Sequence, residues 1–147
     1  MIGILNNEAL GLIAIQSVLA VKPRLNIANS YIIAPLLFDK KIRGYLKRKT
    51  TNVLSAQEIV TARNDYFIGF NEKFIDSLIV STNAIAMGLE LKLFDLEGRY
   101  LIEVVPPSIE KGEAGRKVND ILLASENVSK MLSEPPVSLY ALLRIEV

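Results

Sequence analysis

The apolar positions of this chain fall into runs at helical spacing, separated by junctions rich in asparagine, serine and proline. The first run, residues 9–20, holds no charge, and Leu10, Leu12, Ile13, Ile15, Val18 and Leu19 cover nearly every side of a helix. A helix that is apolar all round lies at the centre of a core or between partners. Asn6 and Asn7 can cap its start, and Glu8 then meets the positive end of its dipole. Pro23 predicts a stop after Lys22, because the residue before proline avoids helical angles. Asn26 and Asn29 offer the next caps. The apolar stretch 31–38 contains Pro35, which predicts a kink or the first turn of a new helix. Residues 39–46 resume an amphipathic helix with Ile42, Tyr45 and Leu46 inward, and 47–52 reads as a loop.

Ser55 and Glu58 have the spacing of a capping box, which predicts a helix running to about Arg63. Asn64 or Asp65 then opens another, in which Phe67, Phe70, Phe74, Ile75 and Leu78 recur at helical spacing as core. Thr82 or Asn83 is read as the cap of a further short helix through Ala84, Ile85, Met87 and Gly88. Residues 90–94 and 100–105 carry the β signal, with Gly98 ending the turn 95–98 between them. Pro106, Pro107, Gly112 and Gly115 mark a loop. The last long helix is expected over 116–132, and Pro135 and Pro136 break it before a short apolar segment, 137–145. The expected fold is mainly α with one β-hairpin, a winged-helix-like helical domain over residues 1–147. Its part from 109 to 147 is expected to form a C-terminal helical extension.

Composition changes this picture in one respect. Half of the residues are hydrophobic, and the mean hydropathy is +0.31. A small domain with that surplus is expected to bury part of its surface against another protein. The apolar run 9–21 falls short of the roughly 20 residues that span a bilayer. No basic residue precedes it within 1–8, as a secretory signal would require. A cytoplasmic protein with no membrane contact is expected.

The candidate chemistry is sparse. The chain has no cysteine and no histidine. That removes thiolate and imidazole metal ligands and the commonest general base. Gly112-Glu113-Ala114-Gly115 lacks the spacing and the trailing lysine of a phosphate-binding loop. Carboxylates such as Glu8, Asp39, Asp76 and Glu90 are scattered singly. A non-enzymatic chain without cofactor or metal of its own is expected. Tyr66, Phe67, Phe70 and Phe74 could suggest a platform for stacked bases, but at helical spacing they read as core.

One charge feature stands out of a net charge of only +1. Lys40, Lys41, Arg43, Lys47, Arg48 and Lys49 lie within ten residues. They could meet DNA phosphates, meet an acidic face of a partner, or form an ordinary solvated helix end. The expected helix before the hairpin has no lysine or arginine over 82–89. Reading bases through it is therefore not expected.

Three stretches in order resemble a known family. They are Asn6-Asn7-Glu8-Ala9-Leu10 opening an apolar helix, Ile32-Ile33-Ala34-Pro35-Leu36-Leu37-Phe38-Asp39-Lys40-Lys41-Ile42-Arg43, and the helical block 70–98 that ends in a hairpin. Together they resemble the small middle component of three-component ABC-type bacterial defence systems, the SMC-containing group that includes Lamassu. The likeness covers most of 5–105, and Leu142-Leu143-Arg144-Ile145 echoes the family's end. The family's Asn-Pro-Ala start is replaced here by Asn-Asn-Glu-Ala. The resemblance implies an accessory subunit that binds an SMC-like coiled-coil ATPase near its head domains. That subunit would join the ATPase to an effector, often a nuclease, against phages or plasmids. Any contact with DNA would be made through the complex, and nucleotide and magnesium would belong to the ATPase. The alternative is a winged-helix DNA-binding transcriptional regulator.

Overall fold

In a computed structural model, which describes residues 6–109 and 115–146, the charge-free run forms the central helix α1 (Asn7–Val21). Asn6 caps it, its side-chain oxygen accepting from the Ala9 N–H at 2.7 Å. Every residue from Leu10 to Leu19 is buried. The apolar surplus placed in this helix is thus spent inside the chain's own core rather than on an outer surface.

The helix is followed by a short strand, β1 (Arg24–Asn26), then by α2 (Ile27–Ser30), α3 (Ile33–Leu37) and α4 (Lys40–Leu46). Pro35 is the third residue of α3, where its missing N–H would have had no helical partner. Ser55 caps α5 (Ala56–Ala62) by accepting from the Glu58 N–H at 3.1 Å. The Glu58 carboxylate reaches back to the Leu54 N–H at 3.2 Å, one residue before the usual partner in a capping box. A 3-10 turn (Asn64–Phe67) leads into α6 (Phe70–Glu90).

Two readings of this region are corrected. No helix starts at Thr82 or Asn83, since α6 is continuous for 21 residues. Its buried positions Phe70, Phe74, Ser77, Ser81, Ala84, Ile85 and Gly88 keep helical spacing through the supposed junction. That continuous packed face outweighs a local cap. The hairpin is also displaced along the chain. Its strands are β2 (Phe94–Glu97) and β3 (Tyr100–Glu103), and residues 90–93 form the end of α6 and a turn in which Lys92 takes φ 58°. Glu97 pairs with Tyr100, so the loop is the two residues Gly98 and Arg99, with Gly98 at φ 62° as a tight hairpin requires.

The strands form an antiparallel sheet in the order β1-β3-β2, so the sheet gains a third strand that the sequence did not announce. Helix, short strand, helices and hairpin in this order make a mainly α, winged-helix-like domain. The sheet is fixed to the helices by Phe94, which is fully buried and lies over Gly88 of α6.

Helix α7 (Arg116–Met131) and the short α8 (Pro136–Leu142) complete the fold. Helix α1 packs on α6 and on α7, which scarcely touch each other, and α4 packs on α7. Tyr140 of α8 stacks edge-on against Phe74, 5.5 Å between centroids, and donates to the Ala28 carbonyl. Burial pushes its phenol up to about 12, so it stays a donor at neutral pH. Of the expected loop over 106–115, residues 110–114 lie outside the described residues, as do residues 1–5 ahead of the first helix. No helix among the described residues is long and apolar enough to cross a membrane.

Candidate functional site

The basic cluster is built on α4 and the loop after it. Asp39 caps α4, its carboxylate accepting from the Ile42 N–H at 2.9 Å. Its other oxygen pairs with Lys73 of α6 at 2.8 Å. Burial alone would raise the Asp39 carboxyl. Lys73 and the backbone N–H groups of Ile42 and Lys41 outweigh that and hold it below the usual carboxylate range. Ile42 and Leu46 point inward at i, i+4, which leaves the cations of α4 to the other sides.

The six cations have different fates. Arg43 is buried, and its guanidinium donates to the Leu37 carbonyl at 2.9 Å, satisfying an orphan acceptor at the end of α3. Lys47 pairs with Asp120 of α7 at 3.3 Å. Arg48 lies over the Tyr45 ring, 5.7 Å from its centroid. Lys40, Lys41 and Lys49 are exposed. The loop that carries Lys47, Arg48 and Lys49 is pinned by Asn127 of α7. The Asn127 amide donates to the Leu46 carbonyl at 2.9 Å and the Thr51 carbonyl at 3.0 Å, and its oxygen accepts from the Val53 N–H at 3.2 Å.

Two troughs that share Lys47 lie against α7, the first between it and α4 and the second between it and the loop after α4. The first, about 340 Å³, draws Lys40, Arg43 and Lys47 together with Arg116 and Lys117. The second, about 400 Å³, draws Lys47, Arg48 and Lys49 together with Lys130. Lys41 lines neither. Arg116, Lys117 and Lys130 were not read as part of the cluster. The available signal was the polar stripe Arg116, Asp120, Asn127 and Lys130 on one side of α7, at helical spacing.

A second surface lies on α6. Ile75 and Ile79 are exposed, Ile79 at 75%, with half-buried Leu78 beside them and exposed Glu72, Asp76, Asn83 and Glu90 on the same helix. Ile75 was read as core, but Phe70 and Phe74 fill that side of the helix. The helix's one lysine, Lys73, is engaged by Asp39. Ile42 and Leu46 of α4 are buried, whereas Val137 on α8 is 84% exposed.

The fold and these surfaces define a mainly helical, winged-helix-like domain with a basic trough and an apolar helix ridge. The chain belongs to the family of ABC-three component (ABC-3C) system Middle Component 3, whose family model matches residues 14–147. It is therefore a middle component of a multi-component system and has partner subunits. No curated protein and no solved structure matches the chain.

Proposed function

We propose that this middle component is a non-enzymatic bridge that holds an SMC-like coiled-coil ATPase and an effector subunit, often a nuclease, in one complex. It works in the bacterial cytoplasm against phages or plasmids. Nucleotide and magnesium belong to the ATPase. The observation that carries the reading is the ridge of Ile75 and Ile79 on α6, an unpartnered apolar strip on a chain whose family supplies partner subunits.

The alternative of a DNA-binding regulator is disfavoured by the same helix. In the position before the hairpin, α6 presents isoleucine and carboxylates, and its one cation is tied to Asp39. Base edges are read by polar and basic side chains.

The test is co-expression with the genes encoded alongside. The ATPase is expected to copurify with the wild type and to be lost with Ile75→Asp combined with Ile79→Asp, while the variant keeps its thermal transition. A wild-type chain that purifies alone and retains neither partner removes the proposal. A site-specific footprint by the isolated chain would instead establish the regulator.

A further inference from the structure

We infer that the trough between α4 and α7 is a seat for the phosphate backbone of duplex DNA, bound without regard to sequence. The argument begins with charge. Eight cations line the two joined stretches against two carboxylates, Asp120 and Glu126, in a chain of net charge +1. The cations come from separate parts of the sequence, so folding concentrates them. Lys40, Lys49, Arg116 and Lys117 form no ion pair among the described residues, where the ion pairs are Lys47–Asp120 and Lys73–Asp39. Like charges held together repel, and an anion in the trough relieves that repulsion.

The chemistry of the walls selects the anion. The centre of a protein interface is depleted in lysine and enriched in aromatic and apolar side chains. Here Ile42, Leu46, Val118, Ile121 and Leu122 are buried in the core, and half-buried Leu123 is the apolar side chain of α7 that lines the trough. What remains at the surface is mostly lysine and arginine, which suits phosphate oxygens better than a polypeptide. Single-stranded nucleic acid would want exposed rings to stack on. The nearby Tyr45 is half-buried, packed edge-on against Tyr66 at 5.7 Å and covered by Arg63 at 4.9 Å. The amide side chains that line the second stretch are engaged within the chain, Asn127 on the Leu46 and Thr51 carbonyls and Asn52 by Lys130, which leaves the cations to meet the backbone.

The floor of the trough is built to stay in place. Arg43 is fixed on the end of α3, Lys47 on Asp120, and Lys130 on Asn52 at 3.0 Å. These three set the field, and Lys40, Lys49, Arg116 and Lys117, exposed around them and in no ion pair among the described residues, adapt to phosphates.

The purified chain is titrated into a short fluorescent DNA duplex of arbitrary sequence, followed by anisotropy. Binding is expected at roughly 10⁻⁶–10⁻⁴ M, equal for unrelated sequences, with a log–log salt slope of about −3 to −4 for four phosphate contacts. Lys40→Glu with Lys117→Glu, and separately Lys49→Glu with Arg116→Glu, should each weaken it on the order of tenfold or more. Lys92→Glu, outside both stretches of the trough, should change it less than about twofold. Absence of binding by both the chain and its purified complex overturns the inference. So does an equal loss with Lys92→Glu, or tighter binding of polyglutamate or of an RNA duplex than of DNA. The inference does not rest on the bridging reading. Trough variants should still copurify with the partners and ridge variants should still bind DNA, so the two ideas fail in different experiments.

Discussion

Arg43 and Asp39 stand four residues apart in sequence, and each holds a helix end. Arg43 was grouped with free cations because a sequence displays charge and hides what the charge faces. In the structure its guanidinium satisfies the Leu37 carbonyl, so it shapes the trough while Lys40 and Lys41 beside it are exposed. Asp39 performs two separable tasks, capping α4 and pairing with Lys73. Its carboxyl is held below the ordinary range when folded. Its contribution to stability is therefore complete above the unfolded value near 3.8 and is lost as pH falls through the lower folded value. Asp39→Asn keeps a good cap and discards the charge. The acid limb of its stability–pH curve should be shallower than that of the wild type in chemical denaturation. Asp39→Ala should cost about 1 kcal/mol more at neutral pH, for the missing cap. An unchanged acid limb in Asp39→Asn would mean that the Lys73 pair contributes nothing.

Among the elements, those whose patterns are local were legible and those whose patterns depend on distant packing were not. The long helix expected over 116–132 is α7 (Arg116–Met131), and the cap at Ser55 sits where the capping-box spacing put it. The apolar helix opened by Asn6 was equally plain, since its charge-free run admits few alternatives. The supposed break at Thr82 was not readable. Threonine and asparagine cap helices in isolation, but Ser81, Ala84 and Gly88 are buried against neighbours that the local sequence does not name. Strand β1 is three residues long and exists because β3 pairs with it. The trough is half legible in the same sense. The cations of 40–49 are contiguous, whereas Arg116, Lys117 and Lys130 join them only through the packing of α4 on α7.

The joint between α6 and the hairpin is the element contact most open to test. A Cβ on Gly88 would lie 2.0 Å from the Phe94 ring, so Gly88→Ala must displace a fully buried aromatic side chain. Overpacking of this kind should cost about 1–3 kcal/mol, despite the better helix propensity of alanine. Phe94→Leu should also destabilise, but the double variant should lose less than the sum of the two, because the shorter side chain makes room for the new methyl. Strict additivity in denaturant titrations would show that Gly88 and Phe94 do not share this contact.

At the scale of the whole molecule, a net charge of +1 conceals a strong separation. Cations gather between α4 and α7, while exposed carboxylates such as Glu72, Asp76 and Glu90 lie on α6. Helix α1 packs on both sides of this division, on α6 and on α7. A bridge profits from such a division, since each partner meets a surface of different chemistry. The division also has a thermodynamic signature without any partner. Clustered like charges destabilise the compact state, and salt screens them, with a Debye length falling from about 10 Å at 0.1 M to about 3 Å at 1 M. The free chain should therefore melt higher as sodium chloride rises over that range. Relief of about 1 kcal/mol corresponds to a shift of roughly 3 °C in a domain of this size. Lys40→Glu with Lys117→Glu removes much of the repulsion at source. That variant should melt higher than the wild type at low salt and gain less from added salt. Salt also strengthens apolar burial in general, so the difference between the two proteins is the measurement, not the rise itself. Parallel salt curves would mean that the cations of the trough are already neutralised within the chain.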